Sequence, residues 1–158
     1  MNGSLTPLPP LSGGHNSQAY SINNHNEIAG FPDTGVQDAT CAAPFQGTRF
    51  VGVIWDAQRK PRPLNPLPGD TVPFAFGFNE HRQAVGVSGL CSNTTLPPNG
   101  PPGGPHAVRW EAGRAPRLIG TSRLGAPVDG NNVATSLTNR GEVSGTALLL
   151  DGTIHSHF

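Results

Sequence analysis

The chain has 158 residues, enough for one domain of ordinary size, and its 10 basic residues balance its 10 acidic ones. Only 13% of residues are charged, so no basic surface for nucleic acid is indicated, and no apolar run reaches the roughly 18 residues that a membrane span needs. The 21 glycines and 17 prolines fall between short apolar runs, and no stretch keeps a helical apolar period. We therefore predict an all-β protein with no nucleic-acid partner and no membrane span.

Three segments of the chain align without gaps and predict three copies of one β-hairpin. In each copy an alanine is followed eleven residues later by a glycine, and the copies start 56 and 59 residues apart. The first strand of each copy carries large side chains on one face and small ones on the other, which indicates close approach of a neighbouring sheet. The copies are Gln18–Gly30, Phe74–Gly86 and Val133–Gly145.

Further short strands follow each hairpin, so that the predicted unit has four strands, the size of a propeller blade. Two of them end in a tryptophan that precedes an acidic residue. In chain order, the additional strands are Phe50–Trp55, Pro63-Leu64, His106–Trp110, Pro116–Leu118, Ala147–Leu150 and Thr153–Phe158.

We predict a single domain over residues 1–158, with repeats at approximately 12–67, 68–121, and 122–158 plus 1–11. An N-terminal strand is assigned to the third repeat because Leu5–Leu11 resembles Pro63–Gly69. The predicted fold is a propeller-like array of three four-stranded repeats. Propellers usually have at least about four blades, so we expect closure by strand sharing between the termini or by homo-oligomerisation.

The polar turns of the hairpins contain the first candidate site. His25 and His81 occupy the same turn position in two repeats. Asparagine and glycine suit tight turns, so one interpretation gives these turns a structural role alone. In the other, the turns converge at one end of the array. There His25, His81, Asn24 and Arg140 would bind a ligand, or His25, His81 and Glu80 would act in catalysis.

Trp55 and Trp110 recur at the same repeat position, and each precedes an acid, Asp56 or Glu111. An exposed indole at this position would stack on a sugar ring while the acid accepts hydroxyl hydrogen bonds. The favoured alternative is that both rings are packing anchors between neighbouring sheets.

His155 and His157 are two residues apart on a predicted strand, so their side chains would point to the same side. The pair could bind a divalent metal such as Zn²⁺, although the spacing indicates no third ligand. The alternative is a polar C-terminal strand without a cofactor.

Cys41 and Cys91 each lie in an insertion after a repeat glycine. They permit one disulfide between the two insertions, which would suit an extracellular protein. The alternative is that they stay unpaired.

The segments Ser17–Gly30 and His106–Trp110 resemble the HAF repeats of secreted bacterial proteins, a family named for a His-Ala-Phe triplet shortly before a tryptophan. Val108 stands in place of the phenylalanine, and the first copy lacks the His-Ala pair. The resemblance implies an extracellular or periplasmic, propeller-like protein, but it implies no activity, because fold does not fix function.

The leading functional hypothesis is a secreted or surface-exposed binding module with carbohydrate as its candidate ligand. One alternative is a hydrolase or lyase that uses the turn histidines or a metal. Another is a structural repeat segment of a larger surface protein. Met1–Pro10 lacks the basic start and apolar stretch of a secretory signal, so an extracellular location requires that a signal is not part of this chain.

Overall fold

The computed structural model describes residues 5–41, 47–94, 105–119 and 131–157, and it contains three antiparallel sheets. A single helical turn, α1 (Cys91–Thr94), is the only helix in these ranges. The prediction of an all-β protein is confirmed. Nowhere in the described ranges is a helix long and apolar enough to cross a membrane.

Sheet 1 contains the first hairpin. Its strands are β1 (Ser17–Ile22), β2 (Ile28–Gln37), β3 (Thr48–Phe50), β4 (Val53–Trp55) and β5 (Pro61–Pro63). The order is β1–β2–β4–β5, with β3 also paired to β2. The predicted strand Phe50–Trp55 is split because the N–H of Val51 bonds to Pro32 and the N–H of Gly52 bonds to Pro73, which belongs to the next sheet.

Sheets 2 and 3 repeat this arrangement. Sheet 2 has the order β6 (Val72–Phe78), β7 (Gln83–Gly89), β8 (His106–Glu111) and β9 (Arg117–Leu118). Sheet 3 consists of β10 (Asn132–Leu137), β11 (Val143–Leu148) and β12 (Ile154–His157). The four-stranded unit therefore occurs in sheet 2 as predicted, whereas sheet 3 has three strands among the described residues.

The first strand of every sheet has a β-bulge at the same repeat position. In sheet 2 the register shifts between Ala75 and Gly77, and the equivalent shifts occur in sheets 1 and 3. Next to the bulge the two backbones approach so closely that a Cβ atom on Gly86 would collide with the carbonyl oxygen of Phe74. Gly30 and Gly145 meet the same obstacle. The glycine at this position in each repeat is therefore explained by close backbone approach.

The bulge also corrects the prediction of a single small-residue face. Ala75 belongs to the buried cluster that joins sheets 1 and 2, together with Ala29 and Ile54. Gly77 instead lies against sheet 3, where an added Cβ would be 2.9 Å from the Cα of Ser136. The small residues of β6 therefore admit a neighbouring sheet on both sides.

The core lies in the layers between neighbouring sheets. Between sheets 1 and 2, Phe31 packs edge-on against Phe50 and Phe74, with ring centroids 5.6 and 4.1 Å apart. A smaller cluster that includes Val85 and Ala134 lies between sheets 2 and 3. The large aromatic side chains, which bury the most apolar area, therefore lie between sheets 1 and 2.

The predicted N-terminal strand at residues 5–11 is absent, and this segment lies on sheet 1 instead. The carbonyl of Pro9 accepts a 2.9 Å hydrogen bond from the indole N–H of Trp55. The segment after β5 lies on sheet 2 in the same way, and its Asn65 carbonyl accepts a 2.7 Å hydrogen bond from the indole N–H of Trp110. The sequence likeness of the two segments therefore reflects a shared role as the cover of a tryptophan.

Candidate functional site

The hairpin turns are built alike in all three repeats. They are turn 1 (residues 23–26), turn 2 (residues 79–82) and turn 3 (residues 138–141). In turn 2 the side-chain oxygen of Asn79 accepts the N–H groups of His81 and Gln83, each at 3.0 Å. Asn23 forms the same two bonds in turn 1, and the hydroxyl of Thr138 replaces the amide in turn 3. The first residue of each turn therefore has the predicted structural role.

Successive turns also bond to each other at equivalent positions. The side-chain amide of Asn79 donates to the carbonyl of Thr138 at 3.0 Å, and the equivalent bond from turn 1 to turn 2 is 3.4 Å. The Glu80 carboxylate accepts the N–H of Asn24 at 3.1 Å, and the Asn139 side chain accepts the N–H of Glu80 at 3.1 Å. These hydrogen bonds between equivalent residues hold the three turns side by side on one surface.

Only some of the predicted turn residues meet in this surface. His25 is half exposed, and its Nδ1 lies 3.4 Å from the Glu80 carboxylate. In the described ranges no hydroxyl or thiol forms a hydrogen bond with His25. His81 is exposed, and Arg140 pairs at 3.5 Å with Glu142 of its own hairpin. The structure thus joins Asn24, His25 and Glu80, and it leaves the side chains of His81 and Arg140 outside their network.

Glu27 is a buried carboxylate between sheets 1 and 2 that the sequence did not identify as a candidate. It accepts hydrogen bonds from Asn23 at 3.1 Å, from Arg62 at 3.2 Å and from Arg82 at 3.1 Å. Burial raises the pKa of Glu27, but the hydrogen bonds from Asn23 and Arg82 and the charges of the two arginines outweigh it and lower the pKa below its usual range. Glu27 is therefore an anionic anchor for Arg62 and Arg82.

A cleft of about 500 Å³ lies between sheets 1 and 2 beside these arginines, and we call it the inter-sheet cleft. Its apolar wall includes Ile54 of β4, Phe78 of β6 and Trp110 of β8. Its polar lining consists of Arg62, Asn65, Arg82, Glu111 and Arg114. A concave, partly apolar surface of this size with a few polar groups is typical of small-ligand sites.

Trp55 and Trp110 are packing anchors, and the exposed-ring interpretation is corrected. Their exposed fractions are 0% and 4%, because each ring is covered by the segment whose carbonyl accepts its indole hydrogen bond. Neither ring has a free face on which a sugar could stack. Trp110 contributes to the inter-sheet cleft only as part of its wall.

The histidine pair predicted to bind a metal lies on β12. His155 is exposed, and the side chain of His157 lies outside the described residues. Among the side chains that the structure does describe, no three histidine, cysteine, aspartate or glutamate residues are grouped so that they could hold a metal ion. A metal at this pair stays a prediction.

Ser88, Asp70 and His106 form a second polar cluster that the sequence did not indicate. Both Ser88 Oγ, at 2.6 Å, and His106 Nδ1, at 3.2 Å, lie against the same Asp70 oxygen. These are the residue types of a hydrolase triad, but the serine contacts the aspartate and is fully buried, whereas catalysis needs a serine bonded to the histidine. The Ser88 hydroxyl also accepts the N–H of Leu67, so the cluster holds the segment before β6 against sheet 2.

Cys41 and Cys91 form a disulfide, as one of the two interpretations predicted. Their Cα atoms are 4.8 Å apart, and the bond joins the loop after β2 to α1. The disulfide therefore links sheet 1 covalently to sheet 2, the two sheets that form the inter-sheet cleft.

Comparison of this chain with protein-family models, with curated proteins and with solved structures found no match. The resemblance to HAF repeats therefore stays a prediction.

Proposed function

We propose that this chain is a surface-exposed binding module that holds a carbohydrate in the inter-sheet cleft. The observation that carries the proposal is the cleft itself, with about 500 Å³ of space, an apolar wall and a polar rim. A sugar has apolar C–H faces and hydroxyl groups at its edges, so it matches a site of that mixed character. The buried tryptophans have no part in sugar stacking in this proposal.

An extracellular or periplasmic location is part of the same proposal. Disulfides persist in oxidising compartments and are rare in the cytosol, and the bond between Cys41 and Cys91 is consistent with such a location. The resemblance to HAF repeats supports the same inference.

A propeller-like arrangement of the sheets is the architectural part of the proposal. The first strand of each sheet packs beside the next, and equivalent turn residues bond at repeat intervals, as expected for blades around a common axis. We also propose that a second copy of the chain completes the ring of blades.

A glycan array tests the proposed function, with a variant that obstructs the cleft. Ala115 is exposed and lines the cleft, whereas Ala57 is also exposed and lies outside it. We expect wild-type protein and the control Ala57→Trp to bind the same glycans, and Ala115→Trp to lose at least about 10-fold in affinity, because a bulky side chain takes up ligand space. A blank array, or equal binding by Ala115→Trp, would contradict the proposal.

A further inference from the structure

At the inter-sheet cleft the positively charged side chains are exposed, whereas the carboxylates paired with them are mostly buried. Arg62, Arg82 and Arg114 line it, and their side chains are 55%, 58% and 67% exposed. The carboxylates paired with them are covered, since Glu27 is 4% and Glu111 is 18% exposed. A ligand in the cleft would therefore meet guanidinium groups first.

The covered carboxylates orient these guanidinium groups without using up their donors. Arg82 bonds to Glu27 through Nε alone, and Arg62 through one terminal nitrogen. Arg114 pairs with Glu111 through one terminal nitrogen at 3.1 Å. A guanidinium has five N–H donors, so each arginine keeps most of its donors without a protein partner among the described residues.

The number of arginines in the polar lining of the cleft is high for a chain with so few charged residues. The protein has 10 basic residues in 158 and no net charge, yet three arginines line one cleft. Arginine suits planar, bidentate recognition of anionic oxygen pairs. Low-dielectric walls such as those from Phe78 and Trp110 strengthen the attraction of a bound anion.

We propose that the inter-sheet cleft selects saccharides that carry an anionic group, with the carboxylate of a uronic acid as the group it recognises. This inference rests on the proposed function and names the ligand class of the same site. Arg62, Arg82 and Arg114 bind the carboxylate, and the apolar wall of the cleft contacts the sugar ring.

Calorimetric titration with three trisaccharides of equal length tests the ligand class: trigalacturonate, its neutral counterpart and a sulfated counterpart. We expect trigalacturonate to bind at least about 10-fold more tightly than the neutral sugar, and to lose most of that advantage in about 0.5 M NaCl. Equal or tighter binding of the neutral sugar would overturn this inference while leaving the proposed function intact. Preference for the sulfated sugar would overturn the choice of carboxylate. No binding of any saccharide, on the array or in solution, would overturn both.

Substitution of one rim arginine tests the site. Arg114→Gln leaves Glu111 paired with Arg109 at 2.8 Å, so the fold keeps its ion pair there. We expect this variant to bind trigalacturonate about 5- to 10-fold more weakly and to lose less affinity for the neutral sugar, which offers the guanidinium hydroxyl groups but no carboxylate. The matched control is Arg59→Gln, since Arg59 is exposed and lies outside the cleft. Unchanged binding by Arg114→Gln, or an equal loss in Arg59→Gln, would place the anion elsewhere and overturn the inference.

Discussion

At the scale of single residues, the asparagine at the first position of turns 1 and 2 has two tasks. Asn79 is buried, its oxygen accepts two N–H groups of its own turn, and its amide donates to the carbonyl of Thr138 in the next turn. Thr138 itself can perform only the first task, because a hydroxyl lacks the second donor group of an amide. Turn 3, with threonine at this position, therefore shows that the turn can form without the hydrogen bond to a neighbouring turn.

Two substitutions at Asn79 measure these tasks separately. We expect Asn79→Ala to lower the free energy of unfolding by about 2–4 kcal/mol, because it removes the side-chain acceptor of two N–H groups and the hydrogen bond to turn 3. Asn79→Thr keeps an acceptor for the turn and loses only the bond to turn 3, so we expect a loss of about 1 kcal/mol. Urea unfolding gives both values. Equal losses in the two variants would show that the acceptor of the turn contributes nothing.

Glu27 predicts how stability depends on pH. Its pKa is lowered in the folded protein, because hydrogen bonds and arginine charges outweigh burial, so its stabilising contribution is present above the unfolded pKa of about 4.3. That contribution is lost as pH falls through the lower pKa of the folded state. Asp33 and Asp38 behave alike, since hydrogen bonds outweigh burial at both.

We therefore expect the free energy of unfolding to fall steadily as pH is lowered below about 4.3. Glu27→Gln should be less stable than wild type at pH 7, because the amide cannot neutralise Arg62 and Arg82, and its stability should fall less steeply in acid. Urea unfolding at a series of pH values measures both slopes. If the variant and wild type had the same slope, Glu27 would not be one of the titrating groups.

At the scale of strands, the bulge and the glycine opposite it form one unit. The bulge in β6 brings the carbonyl of Phe74 against Gly86, and it directs Ala75 and Gly77 toward different neighbouring sheets. The same unit recurs in sheets 1 and 3. A hairpin of this kind packs between two sheets, because its first strand has small residues on both sides of the bulge.

Gly86→Ala is expected to be among the most damaging single substitutions. A methyl group there would collide with the backbone of β6, so we expect a loss of at least about 3 kcal/mol in the free energy of unfolding. Gly69→Ala is the matched control. No atom in the described part of the chain lies within 4 Å of an added Cβ on Gly69, so the positive φ of 91° opposes the change, which should cost about 1 kcal/mol. Thermal unfolding compares the two, and equal losses would contradict the close approach at Gly86.

At the scale of the whole molecule, the junction between sheets 1 and 2 differs in kind from the junction between sheets 2 and 3. Sheets 1 and 2 share the aromatic cluster around Phe31, the ion pair between the buried Glu27 and Arg82, and the disulfide. Sheets 2 and 3 share a smaller apolar cluster and the contact at Gly77. The inter-sheet cleft therefore lies at the junction that contains the aromatic cluster and the disulfide.

The disulfide predicts redox-dependent stability. Cys41 and Cys91 are separated by 50 positions, and closing a loop of that length is worth about 4 kcal/mol in chain entropy. We expect the Cys41→Ala/Cys91→Ala double variant to unfold with about 2–4 kcal/mol less free energy than oxidised wild type. Wild type reduced with dithiothreitol should match the double variant. An unchanged urea midpoint in both would show that other contacts already hold sheets 1 and 2 together.

The sequence alone determined the all-β class, the three hairpins and the residues of their turns. These features follow from local causes, namely strand alternation, turn chemistry and repetition at a nearly constant spacing. The tertiary structure decided the role of Trp55 and Trp110, since their burial depends on the segments that cover them. It also showed that residues 5–11 do not form the predicted strand. It also assembled the inter-sheet cleft, because Glu27 and the rim arginines Arg62, Arg82 and Arg114 lie on different strands and connections. No spacing along the chain reveals such a meeting, which depends on how two sheets pack.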